Sequence, residues 1–279
     1  MTLSERELTR RDDFDVAYRQ GALPAMQAIE RKVCGCDYGA TSWATKEEVD
    51  LVADFLALQP GVLMLEVGAG SGWPALYMAA ATGCDVVLTD LPLDGLRIAM
   101  QRATGNSIFG SRVAAVADAA RMPFGNRACD AINHSDVLCC LLQKREVLAE
   151  CRRLIRPGGR MAFSVIYVAP GLGTEDHRLA VESAPEFVEA EADYRSLLEA
   201  TEWKILDRRN VTAAFARSCT ARLRLEQAER DVLLPLIGAD ELDRREQLFG
   251  RRIAALERGL LKRELFLVAP INADDRNRP

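Results

Sequence analysis

No apolar run in this chain of 279 residues reaches the roughly 20 residues that a helix needs to cross a bilayer, so no membrane partner is expected. The opening stretch MTLSERELTRRDDFDVAYRQG is charged from Glu5 onward and lacks the apolar core of a secretory leader. The expectation is a cytoplasmic protein. An excess of positive charge is also missing: 36 Lys and Arg stand against 41 Asp and Glu, a net charge of −5. That balance supplies no overall field for gathering polyphosphate and argues against nucleic acid as a partner. Histidine is scarce, at two residues. There is no H-E-x-x-H pair, no G-x-S-x-G elbow and no kinase-like set, which leaves hydrolytic and phosphoryl-transfer chemistry without residues to carry it. Eight cysteines are too dilute for a disulfide scaffold and read as free, mostly buried thiols. Internal repeats and low-complexity tracts are absent.

What is present is an ordinary globular composition, 49% apolar and 28% charged, enough to bury a core. The first 45 residues read as an N-terminal helical cap. Thr45, followed by Glu47 and Glu48, is an N-cap with acids in the first turn, so a helix is expected over Lys46 to Leu58, stopped by Pro60-Gly61. Apolar runs then alternate with helical patterns. Strands are expected at Val62 to Val67, Asp85 to Asp90, Val113 to Ala117, Asp130 to Asn133, Arg160 to Tyr167, Trp203 to Val211 and Glu264 to Ala269. Such alternation predicts an α/β fold with a doubly wound parallel sheet, which binds ligands beyond the strands' carboxyl ends where the winding reverses. On this reading residues 46–212 and 263–270 form the core. Residues 213–262, rich in Arg, Glu and Leu, form a helical insertion that covers the substrate, and Ala169 to Glu191 is a mobile connection.

Chemistry concentrates at Glu66-Val-Gly68-Ala-Gly70-Ser-Gly72-Trp-Pro74, directly after the first strand. Glycines there let main chain turn sharply and approach a ligand. A dinucleotide fingerprint counted from Gly68 would put its third glycine at Trp73, and no lysine in the loop serves a triphosphate. The ligand is therefore expected to carry no phosphate. Asp90 ends the second strand, 22 positions beyond Gly68, where a carboxylate accepts hydrogen bonds from ribose hydroxyls; the residue equally suits an N-cap for the helix opening at Pro92. Asp118 is placed to accept from an adenine amine, with Ala119 and Met122 bordering the ring, or to serve as a turn residue.

Glu66-x-Gly68-x-Gly70-x-Gly72, Asp90, Asp118-Ala119 with Pro123-Phe124, and Leu154-Ile-Arg-Pro-Gly-Gly159 together resemble the class I S-adenosylmethionine-dependent methyltransferases, and among them the ubiquinone-biosynthesis-like (type 11) subgroup. The resemblance covers about residues 45 to 168. It implies a Rossmann-like seven-stranded sheet whose last strand is antiparallel. It also implies S-adenosyl-L-methionine as cofactor, S-adenosyl-L-homocysteine as product, and a small-molecule substrate. The glycine loop with Ala69 would face the methionine part, Asp90 with Leu91 the ribose, and Asp118 with Ala119 the adenine. Tyr38-Gly39-x-Thr41-x-Trp43 is similar to a segment that folds over the methionine end in related enzymes, so Tyr38 and Trp43 join the candidate cofactor set by cation–π attraction.

A sulfonium methyl needs mainly an aligned acceptor, here expected to be an amine or hydroxyl. His134 and Asp136 follow the fourth strand and are the candidate bases, with Asn133 shaping the pocket beside them. His177 falls in the connection and is expected to be solvated. Cys34, Cys36, Cys139 and Cys140 carry a minority reading, a thiol site for a soft metalloid such as arsenic(III); no metal site is otherwise expected. A non-catalytic protein that binds the cofactor is the rival from another class.

Overall fold

The computed structural model describes residues 4–105 and 110–271; of the N-terminal cap, residues 1–3 lie outside the described ones. Seven strands form one sheet: β1 (Leu63–Val67), β2 (Asp85–Asp90), β3 (Arg112–Val116), β4 (Cys129–Ser135), β5 (Ile155–Val168), β6 (Trp203–Asn210) and β7 (Leu261–Pro270). Their order is β3-β2-β1-β4-β5-β7-β6. The pairs from β3 through β5 are parallel, while β7 runs antiparallel between β5 and β6, as the resemblance implied. Winding reverses between β2 and β4 about β1, and the carboxyl ends of those strands open the crevice where such sheets take ligands.

Strand residues alternate between two cores because successive side chains leave a strand on opposite faces. Met64, Val86, Leu88, Ala131 and Leu267 pack on one face against Val52 of α3 (Lys46–Phe55), Leu76 of α4 (Ala75–Thr82) and Leu96 of α5 (Leu93–Gly105). Leu65, Val67, Ile132, Phe163 and Phe266 pack on the other, against α6 (Lys144–Leu154) and α8 (Tyr194–Ala200). Thr45 caps α3 as expected, its hydroxyl accepting from Glu48 N.

Among the described residues two helices precede α3, namely α1 (Glu5–Gly21) and α2 (Pro24–Cys34), and three fill the insertion, α9 (Thr212–Ala228), α10 (Arg230–Ile237) and α11 (Ala239–Glu257). These groups share a third core, in which Met26 and Ile29 of α2 meet Leu233 and Leu242. The N-terminal and inserted helices thus form one roof over the carboxyl edge. The stretch expected as a mobile connection instead holds a packed helix, α7 (Thr174–Ser183), with Glu175 and Asp176 in its first turn and Ala180 fully buried. Arg178 pairs with Glu175 and Glu182 one turn away on either side, local support that an acid-rich composition hid.

Candidate active site

Between sheet edge and roof lies a cavity of about 600 Å³. Its floor is the turn after β1. Gly68 and Ala69 both donate their N–H to Thr89 O, at 2.8 and 2.9 Å, folding the turn over β2. Gly68 lies on the cavity with φ +71°, and a Cβ there would come within 2.4 Å of Val137 Cγ2. Only glycine supplies that bend without displacing the neighbour.

Asp90, on the cavity wall, accepts from Leu91 N at 2.8 Å on Oδ1, and from Gly70 N at 2.7 Å and Tyr18 Oη at 3.4 Å on Oδ2. A carboxylate offers about four acceptor positions, so Oδ1 retains room for a ligand hydroxyl. Burial pushes Asp90 up to about 6, against the two main-chain donors that hold it down. Leu91, Asp118 and Ala119 continue the same wall, and Asp118 Oδ1 closes its own turn by accepting from Ala120 N at 2.9 Å. A bent glycine main chain, a strand-end carboxylate with acceptor capacity and a second carboxylate farther along one wall fit an adenosyl compound.

Several expected cofactor contacts are placed elsewhere. Glu66 and Asn133 are fully buried beneath the turn, where Asn133 Nδ2 donates to both Glu66 oxygens at 3.0 and 2.9 Å; burial pushes the Glu66 carboxyl well up. They brace the turn from behind. Ala69 is buried in the core, and at Gly72, with φ +100°, a Cβ would fall 2.5 Å from Leu76 Cδ1. Gly70 faces Tyr18, whose ring would meet its Cβ at 2.7 Å. Tyr38 is also off the cavity, tilted on Trp73 at 5.4 Å with the Arg102 guanidinium 4.3 Å over its ring. Trp43 does line the cavity, edge-on to Phe215 and Phe249. Tyr18, which sequence reasoning missed, takes the aromatic position beside the turn that Tyr38 was expected to hold. Its helix α1 is polar all round, and no periodic signal singled it out.

Neither expected base is free. His134 has no exposed surface, stacks on Phe163 at 4.7 Å, and has no hydrogen-bond partner on either ring nitrogen. Burial lowers it to about 3, so it is a neutral core ring facing away from the cavity, not a proton acceptor. Strand alternation turns its side chain into the apolar core, while Ser135 at the strand end and Asp136, where the chain turns off the strand, reach the cavity. Asp136, with φ +58°, is saturated. It accepts from Arg263 Nε and Nη2 at 2.8 and 3.1 Å, Ser164 Oγ at 3.1 Å, Trp43 N at 2.9 Å and Ser42 Oγ at 3.3 Å. Arg263, itself fully buried, also bridges to Glu48 at 2.8 and 2.9 Å. Asp136 is a strut between the Trp43 loop, β4, β5 and β7.

The four-thiol arrangement does not form. Cys139 and Cys140 line the cavity and donate to the Asp136 carbonyl, whereas Cys36 donates to Glu30 Oε1 at 3.2 Å within the N-terminal region. Among the described residues no group of three or more His, Cys, Asp or Glu is disposed to hold a metal ion. His177 lies on α7, half exposed, 3.5 Å from Glu189.

Residues 65–163 match a family model described as a methyltransferase domain. A 27-O-demethylrifamycin SV methyltransferase of Amycolatopsis mediterranei is 30% identical over 129 residues, 46% of this chain and 47% of that protein. A ubiquinone/menaquinone biosynthesis C-methyltransferase of Acidiphilium cryptum is 33% identical over 122 residues, 42% of this chain and 49% of its own length. The chain thus spans about half the length of these two curated relatives. Among solved structures, Haemonchus contortus phosphoethanolamine N-methyltransferase 2, in complex with phosphomonomethylethanolamine and S-adenosylhomocysteine, shares the fold. Its TM-score is 0.75 at 16% identity, over 88% of this chain and 57% of that one. With the strand order and the bent glycine turn beside Asp90, these matches give residues 65–163 a methyltransferase domain on a fold shared with S-adenosylmethionine-dependent methyltransferases, and support a class I S-adenosylmethionine-dependent methyltransferase.

Proposed function

We propose that the protein transfers a methyl group from S-adenosylmethionine to a small molecule, at an amine or hydroxyl, by direct in-line displacement. Bound S-adenosylmethionine supplies a sulfonium methyl that is already electrophilic. The chain's own part is to hold, align and dry the site. Main chain at Gly68 forms the floor for the methionine end, Asp90 accepts ribose hydroxyls, and Asp118 accepts the adenine amine, with Leu91 and Ala119 bordering them. Across the cavity Phe14, Trp43 and Phe249 exclude water and seat the acceptor's apolar part. An amine arriving with its lone pair free needs no base before transfer, which suits a cavity in which His134 is turned away and Asp136 is saturated.

One observation carries this reading: Asp90, with acceptor capacity left on Oδ1, and an aromatic-walled space share one cavity beside the bent glycine turn. The small-molecule methyltransferases among the relatives support the substrate class. Incubation with S-adenosylmethionine and a panel of small amines and phenols tests it. The reading predicts S-adenosylhomocysteine formation that depends on one class of acceptor. Tight cofactor binding with no turnover across the panel would instead favour a non-catalytic binding protein.

A further inference from the structure

Six arginines line the cavity among the described residues: Arg10, Arg11, Arg222, Arg244, Arg245 and Arg252. Four are neutralised in place. Arg11 pairs with Asp12, Arg222 and Arg245 share Glu226, and Arg244 holds Glu241. Arg10 and Arg252 have no carboxylate partner among the described residues. Arg252 is only 7% exposed, and among the described residues its one hydrogen bond runs from Nε to the Ser183 carbonyl at 2.9 Å. Arg10 lies over the Phe14 ring at 4.3 Å and its side chain reaches the Cys140 thiol, while its Nε is buried without a partner. None of the cavity's acids is paired with them: Glu7 accepts from Ser4, Glu241 is held by Arg244 and Asp136 by Arg263, Asp90 and Asp118 accept from main-chain N–H groups, and Asp13 stands exposed at the rim.

A buried charge without a partner is costly, and the cost is recovered when an opposite charge arrives. Burial, with the neighbouring Arg10 guanidinium adding to it, holds Arg252 below its ordinary range, and the nearby Cys219, Cys139 and Cys140 thiols oppose this only in part. Two cations are therefore gathered around the cysteine pair that follows β4. The rest of that wall is apolar, with Phe14, Trp43, Phe249 and Ile166.

We propose that the methyl acceptor is a small acid, an apolar body bearing a carboxylate or a phosphate, and that Arg252 together with Arg10 receives its anionic group. The inference rests on the methyltransferase reading above and deepens it. An arginine fork matches either anion in a bidentate fashion, and the apolar wall holds the body while the group to be methylated points towards the cofactor.

The test is calorimetry on the full chain saturated with S-adenosylhomocysteine, titrated with benzoate, phenyl phosphate and the neutral analogue benzamide. One of the two anions should bind at least about tenfold more tightly than benzamide, and whichever is tighter identifies carboxylate or phosphate. Arg252→Gln should erase that preference while leaving S-adenosylhomocysteine affinity within about twofold. Arg10→Gln, at a less buried position, should reduce the preference and serves if the first variant does not fold. Silence from all three probes, equal binding of benzamide, or a preference that survives both substitutions would overturn the proposal. A parallel fall in S-adenosylhomocysteine affinity would also overturn it by assigning the arginines to the cofactor's carboxylate. Failure of the wild-type chain to bind S-adenosylhomocysteine at all would instead sink the methyltransferase reading on which the proposal stands.

Discussion

Asp90 and Asp136 sit at the carboxyl ends of β2 and β4, the two strands flanking β1, and both line the same cavity. One is held by two main-chain N–H groups and a long bond from Tyr18, and burial lifts it to about 6. The other is gripped by the Arg263 fork and three further donors. Equivalent topological positions thus carry opposite roles, a carboxylate with capacity to spare and a carboxylate with none. What separates them is a cation delivered by β7, at the far end of the sequence.

The comparison breaks most visibly at Arg263. Arg263→Met leaves Asp136 and Glu48 buried without their cation and should cost about 3–5 kcal/mol of stability, read from the midpoint of urea unfolding. A loss under about 1 kcal/mol would mean that Asp136 is not dependent on this cation. Asp90→Asn should behave differently. The fold should persist, while S-adenosylhomocysteine affinity falls about 10- to 100-fold by calorimetry, the range expected for hydrogen bonds to a charged group.

The same carboxylate gives a pH signature. Its folded value, about 6, lies above the ordinary 3.8. The stability linked to its protonated form is therefore present below 3.8 and is lost as pH rises through 6, so Asp90→Asn should gain stability relative to wild type at neutral pH. In the proposed role, Asp90 accepts ligand hydroxyls in its ionised form. Affinity for S-adenosylhomocysteine should fall by up to about tenfold per pH unit below 6, and the Asn variant should lose that slope. The smallest effect belongs to His134. Replacing a neutral, unpartnered ring stacked on Phe163 by Phe should leave turnover within about twofold and stability within about 1 kcal/mol; a hundredfold drop in kcat would restore it as a base.

Much of this architecture was legible from local pattern. Alternating apolar runs located all seven strands, and the spacing from Gly68 to Asp90 and on to Asp118 put the turn and both acids on one wall. Contacts made across long sequence distances were not legible. Nothing around Arg263 announces that it reaches Asp136 and Glu48, and Tyr18 sits in a helix without amphipathic pattern yet packs onto Gly70. His134 was misplaced because a strand-end residue can face either side, and the two-residue alternation sends it into the core. Tyr38 was misassigned for a similar reason: a loop aromatic fits a ligand or a tryptophan equally well by sequence, and Trp73 was the partner.

The central claim is that an adenosyl compound lies along the wall from Gly68 through Asp90 to Asp118. A crystal structure of the chain with S-adenosylhomocysteine tests it most directly. The account predicts ribose hydroxyls on the Asp90 carboxylate, the adenine amine at Asp118, and sulfur turned towards the aromatic space below Arg252. Density for the compound outside this cavity, or with its sugar away from Asp90, would contradict it.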